Sequence, residues 1–122
     1  MQKDLPAIHD ALIKGHCVPC EGGTTPLTNE EETNYLDATP GWQLKREITP
    51  HSLTREFEFN NFKEALSFVN GIGEIAESEG HHPNVALHDY KFVTVDLFTH
   101  AINGLSTNDF ILAAKITKLH NS

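Results

Sequence analysis

Three runs of residues alternate between apolar and polar, and they commit this chain to a sheet. The strongest is Phe92-Val93-Thr94-Val95-Asp96-Leu97-Phe98-Thr99. Successive strand side chains point to opposite faces, so a period of two sends one set to a core and the other to water. Trp42–Ile48 alternates in the same way, with Arg46 as the one exception on its apolar side. Leu53–Phe59 alternates again, and Thr49-Pro50-His51-Ser52 between them reads as a turn. Two strands flanking a short turn predict an antiparallel hairpin. Val85–Leu87 is a shorter strand candidate before the strongest run.

Helical signals separate the strands. Thr28-Asn29-Glu30-Glu31 has the capping-box form, and the acidic run Glu30–Glu32 suits a helix N-terminus. That helix should stop before Pro40-Gly41. Asn61 is an N-cap candidate, and Phe62, Ala65, Leu66, Val69, Ile72, Gly73 and Ala76 follow at helical spacing. Gly80 can end that helix in a left-handed turn. Ser106-Thr107-Asn108-Asp109 is a second capping box, opening a helix through about Leu119. The order α-β-β-α-β-β-α predicts an α+β two-layer domain.

The chain has 122 residues, enough for one domain that buries roughly two-thirds of its unfolded surface. Residues 1–26 are punctuated by Pro6, Gly15, Pro19, Gly22, Gly23 and Pro26 and are expected to be a loosely ordered lead. A short helix before Gly15 has only weak support. The net charge is −8 without a Lys/Arg cluster, which argues against direct nucleic-acid contact. No stretch has the apolar length of a membrane span, and Met1–Pro6 lacks a signal peptide's apolar run. A cytoplasmic protein is expected.

Eight histidines are many for this length. His81 and His82 follow a helix end, and Pro83 disfavours helical geometry at His82. On such an extended connector neighbouring side chains diverge, which suits two positions around a pocket better than two ligands on one ion. His100 closes the Phe92–Thr99 strand, just before a loop. Imidazole is well matched to proton transfer near neutral pH, so these three could supply an acid and a base. A histidine pair also has ordinary structural explanations. Asp109 has one in its capping position. His9, His16, His51, His88 and His120 read as solvent-exposed. Cys17 and Cys20 form one pair where a zinc site commonly uses two, and no strand precedes them as in a redox motif, so no metal site is expected.

These elements together resemble the pterin-4a-carbinolamine dehydratase family. Three residues separate Glu77 from His81-His82-Pro83, Tyr90 supplies an aromatic, and His100 is the third histidine. Gly104-Leu105-Ser106-Thr107-Asn108-Asp109 closes the pattern, and Leu27-Thr28 and Gly41-Trp42 match earlier features. The resemblance runs from about Leu27 to Ile116 and makes 27–122 a dehydratase-like domain. Gly80 departs from members that carry an acidic residue there.

The resemblance implies a four-stranded antiparallel sheet with helices against one face. It implies dehydration of a 4a-hydroxytetrahydropterin to a quinonoid dihydropterin, supporting aromatic amino-acid hydroxylases. His81, His82 and His100 would be catalytic. Glu77, Pro83, Thr99 and Asp109 would bind or orient, with Asp109 ordering the helix N-terminus and also holding a histidine. No cofactor beyond the pterin substrate is implied, and a homodimer or homotetramer is expected. Two alternatives are a dimerisation cofactor for a transcription factor, as in some animal relatives, and a small Cys/His metal-binding protein.

Overall fold

The computed structural model describes residues 5–18 and 25–122. Its elements are α1 (Leu5–Lys14), α2 (Asn29–Asp37), β1 (Gln43–Lys45), β2 (Ser52–Glu58), α3 (Phe62–Glu79), β3 (Asn84–His88), β4 (Phe92–Leu97), a 3-10 turn (His100–Ile102) and α4 (Thr107–His120). The strands form one antiparallel sheet in the order β1-β2-β4-β3. The α+β architecture expected from the sequence is therefore the one observed.

The alternation works as expected. Val93, Val95 and Leu97 are buried, while the residues between them are partly exposed. Leu53 and Phe57 of β2 join them in the core. Ala65, Phe68 and Ile72 of α3 and Phe110, Leu112, Ala113 and Ile116 of α4 pack into the same cluster. Apolar area removed from water is the main favourable term here. Both β hairpins have short connections, and Asp89 and Tyr90 take positive φ angles of 47° and 56° in the β3–β4 turn. The exposed Tyr90 ring thus sits at a hairpin tip.

Caps set the helix ends. The Thr28 box is formed: its hydroxyl accepts from the Glu31 N–H at 3.2 Å, and Glu31 accepts from the Thr28 N–H at 2.9 Å. Asn61 caps α3 by accepting from the Glu64 N–H at 2.8 Å. Gly80 ends α3 with φ 66°, a left-handed conformation that favours glycine. That turn releases the chain into the 81–83 connector.

Several expectations need correction. The first strand was expected over Trp42–Ile48 but ends at Lys45. Arg46 turns away to the buried Glu32 of α2, with Nε donating to Oε1 at 2.9 Å, and to the Asn29 carbonyl. A buried carboxylate demands partners, and His51 supplies another at 2.9 Å. His51 is therefore not simply a surface histidine. Nor is His120, whose ring lies 4.8 Å from Phe57 and 5.7 Å from Phe68. Within the lead, the described residues 5–18 are more ordered than its composition suggests: α1 lies against α4, and Leu12 joins the core. Cys20 lies outside the described residues, as does the side chain of His9.

Candidate active site

The connector after α3, the turn after β4 and the start of α4 meet at one cavity of about 370 Å³. His81, His82, Phe98, Thr99, His100 and Asn108 line it, with Val18 from the lead. The three histidines singled out by the sequence thus share a wall. His81 and His82 diverge, as adjacent residues on an extended segment do. His81 Nε2 meets Asp109 Oδ1 at 2.7 Å, whereas His82 Nε2 meets Glu77 Oε2. The first pair is secluded, with Asp109 0 % exposed; the second is open, with His82 60 % exposed.

Asp109 divides its two oxygens. Oδ2 accepts from the Ser106 N–H at 3.0 Å, the reach-back half of the capping box, and from the Thr99 hydroxyl at 2.8 Å. The single Thr99 hydroxyl proton goes to this carboxylate. The Ser106 hydroxyl, 2.8 Å from Thr99 Oγ1, must then donate to it. Oδ1 is left for His81. A carboxylate only accepts, so the His81 Nε2–H is the donor in this pair.

His100 does not close the strand. β4 ends at Leu97, a lone Thr99–Gly104 bridge continues the pairing, and His100 begins the 3-10 turn. Its ring is exposed, with its centroid 4.3 Å from that of Phe98. Pro83 stays on the connector and does not line the cavity. Among the described residues, no three His, Cys, Asp or Glu side chains come together as a metal set.

Two residues around the cavity carried no sequence signal. Glu79, 5 % exposed, accepts from the Cys17 N–H at 2.7 Å and pairs with His16 at 3.0 Å and Lys115 at 3.6 Å. Asn108 holds the Val18 backbone, although its position reads only as a helix-start residue. Burial by itself would raise the Glu79 pKa, but the Cys17 N–H, His16 and Lys115 outweigh it and hold the carboxyl below its ordinary 4.5. A depressed folded pKa stabilises above the unfolded value and is lost as pH falls through the folded one. The melting difference between the unmodified chain and Glu79→Gln should be present at pH 7. It should shrink as pH falls below 4.5, as thermal unfolding across pH would show.

A family model for pterin 4 alpha carbinolamine dehydratase matches residues 25–119. A protein of Alkaliphilus metalliredigens, provisionally named a pterin-4-alpha-carbinolamine dehydratase, is 49 % identical over 108 residues, covering 88 % of this chain and 94 % of its own. A Methylococcus capsulatus protein of the same provisional name is 46 % identical, covering 89 % of this chain and 93 % of its own. A crystal structure from Brucella melitensis, described as a transcriptional coactivator/pterin dehydratase, superposes with TM-score 0.71 at 34 % identity, covering 78 % of this chain and 98 % of that one. A pterin dehydratase-like RuBisCO assembly factor of the alpha-carboxysome shares the fold at TM-score 0.57 and 22 % identity, covering 67 % of this chain and 92 % of that one. Among the described residues, no helix is long and apolar enough to cross a membrane.

Proposed function

Because this chain belongs to the pterin-4a-carbinolamine dehydratase family, we propose that it dehydrates a 4a-hydroxytetrahydropterin with His81, His82 and His100 as its proton-transfer groups. The observation that carries this reading is the common cavity: all three imidazoles line it, and one is fixed by a buried carboxylate.

The reaction breaks the C4a–O bond and forms the C4a=N5 double bond. One imidazole gives a proton to the departing hydroxyl, which leaves as water. Another takes the proton from N5. The step is redox-neutral, so protons are all that must move. Each positioned acid or base of this kind contributes roughly 10²- to 10⁴-fold. Asp109 orients His81 and holds its tautomer, a supporting role that a buried carboxylate plays for a histidine. Glu77 does the same for His82 in a more open setting.

The substrate would be supplied by aromatic amino-acid hydroxylases, which leave their pterin hydroxylated at C4a. The product would pass to a reductase. The chain would act in the cytoplasm as a homo-oligomer. The test is a stopped-flow assay in which 4a-hydroxytetrahydrobiopterin is generated and its decay followed with and without the protein. Decay should accelerate in proportion to protein concentration. Decay unaffected by a folded, stoichiometric amount of protein would sink the reading.

A further inference from the structure

The lead does more than precede the domain. Val18, 65 % exposed, forms part of the lining of the histidine cavity, and Cys17 is anchored just before it. Their course is set by two buried side chains. The Asn108 amide grips the Val18 backbone from both sides: the Val18 N–H donates to Oδ1 at 3.0 Å, and Nδ2 donates to the Val18 carbonyl at 2.6 Å. A carboxamide carries the same donor and acceptor as a peptide group, so it can pair with backbone as a neighbouring strand would. Glu79 fixes the preceding residue through the Cys17 N–H at 2.7 Å. Lys115 ties the same region to α4, donating to the Ile13 carbonyl at 2.8 Å while it faces Glu79.

Both anchors adjoin the proposed machinery. Glu79 stands two residues before His81, and Asn108 immediately before Asp109. The connector and helix that position His81 therefore also position this strap. The family model begins only at residue 25, whereas the match to the Alkaliphilus metalliredigens protein, 108 residues long, takes in the strap.

We propose that residues 16–18 form a wall of the substrate cavity, and that Asn108 and Glu79 are positioning residues that hold this wall over the bound pterin. The proposal rests on the dehydratase reading. Val18, Phe98 and Ala101 are the apolar members of a lining that otherwise carries three imidazoles, the Thr99 hydroxyl and the Asn108 carboxamide. A flat heteroaromatic ring offers both kinds of surface, apolar faces and polar edges. The strap would cover a face and take no part in proton transfer, so its loss weakens binding and spares the chemical step.

The test uses the full chain with Asn108→Ala and, as a second variant that leaves every anchor in place, Val18→Gly. Steady-state dehydration and calorimetric binding of 7,8-dihydrobiopterin, a stable isomer of the product, are measured for each. Losing the two Asn108 hydrogen bonds should raise KM and the dihydrobiopterin Kd together by about fivefold to tenfold, with kcat within about twofold. Val18→Gly should move both constants the same way by a smaller factor. Exchange of the Cys17 and Val18 amide hydrogens should slow on dihydrobiopterin binding in the unmodified chain.

Unchanged KM and Kd in both variants, with an active unmodified chain, would overturn the strap and leave the dehydratase reading standing. A fall in kcat at constant KM in Asn108→Ala would also overturn it, because Asn108 would then act through Asp109. Binding with the expected Kd pattern but no turnover would sustain the strap and sink the dehydration step. An unmodified chain that neither binds nor turns over would overturn both.

Discussion

His81→Ala and His100→Ala are each expected to slow dehydration by roughly 10²- to 10⁴-fold, equivalent to about 3–5 kcal/mol of barrier. The expectation follows from their shared cavity and from a reaction whose only demand is to give one proton and take another. The His100 ring is exposed on its turn, whereas the His81 side chain is secluded, 13 % exposed against the buried Asp109. Circular dichroism and melting should stay close to those of the unmodified chain for His100→Ala. Because acid and base serve one step, the double variant should lose less than the product of the two single losses. The control is His88→Ala, a histidine of β3 that does not line the cavity and should leave the rate unchanged. Initial rates at matched folding decide the matter. Near-normal rates in both single variants would remove these histidines from the mechanism.

Asp109→Asn should damage stability and turnover together. Read as a cap alone, Asp109 would cost about 0.5–2 kcal/mol on replacement and leave most activity intact. The structure changes that expectation, because the carboxylate is buried and accepts three hydrogen bonds from three directions. An asparagine has one acceptor oxygen and one donor nitrogen. If the oxygen keeps the Ser106 N–H and the Thr99 hydroxyl, the amide nitrogen confronts His81 Nε2–H. His81 must then flip its ring or change tautomer. Rates should fall about 10- to 100-fold, the cost found when a metal-bound histidine loses the partner that orients it, taken here as the guide. Stability should fall by about 1–3 kcal/mol for the unsatisfied buried groups. The pH–rate profile separates the two effects: a change in its shape reports on His81, whereas a simple loss of folded protein rescales it. An unaltered profile and rate at full folding would restrict Asp109 to capping.

The division of labour in Asp109 shows where sequence reading stops. Ser106-Thr107-Asn108-Asp109 announces a helix start, because a capping box is a contact between residues three apart. The same stretch says nothing of the second oxygen, which meets a histidine 28 residues earlier in the chain. Strands, the long α3 helix and its Gly80 terminus were legible for the same local reason. Side-chain period and caps are written within a few residues of where they act. The shortfalls share the opposite cause. β1 stops early because Arg46 answers a buried Glu32 on another element. His51 and His120 leave the surface because a carboxylate and an aromatic cluster await them.

The lead marks the same boundary most plainly. Its glycines and prolines read as loose chain, yet residues 16–18 are held by Glu79 and Asn108, 62 and 90 positions away. By itself the sequence determined which segments become strands and helices, and through its histidine pattern which family it resembles. Only the tertiary structure decided which oxygen faces His81, that His100 stands on a turn, and that the lead reaches the cavity. Backbone periodicity encodes contacts between near neighbours. A hydrogen bond between distant residues depends on how the finished layers bring them together, and no local pattern records it.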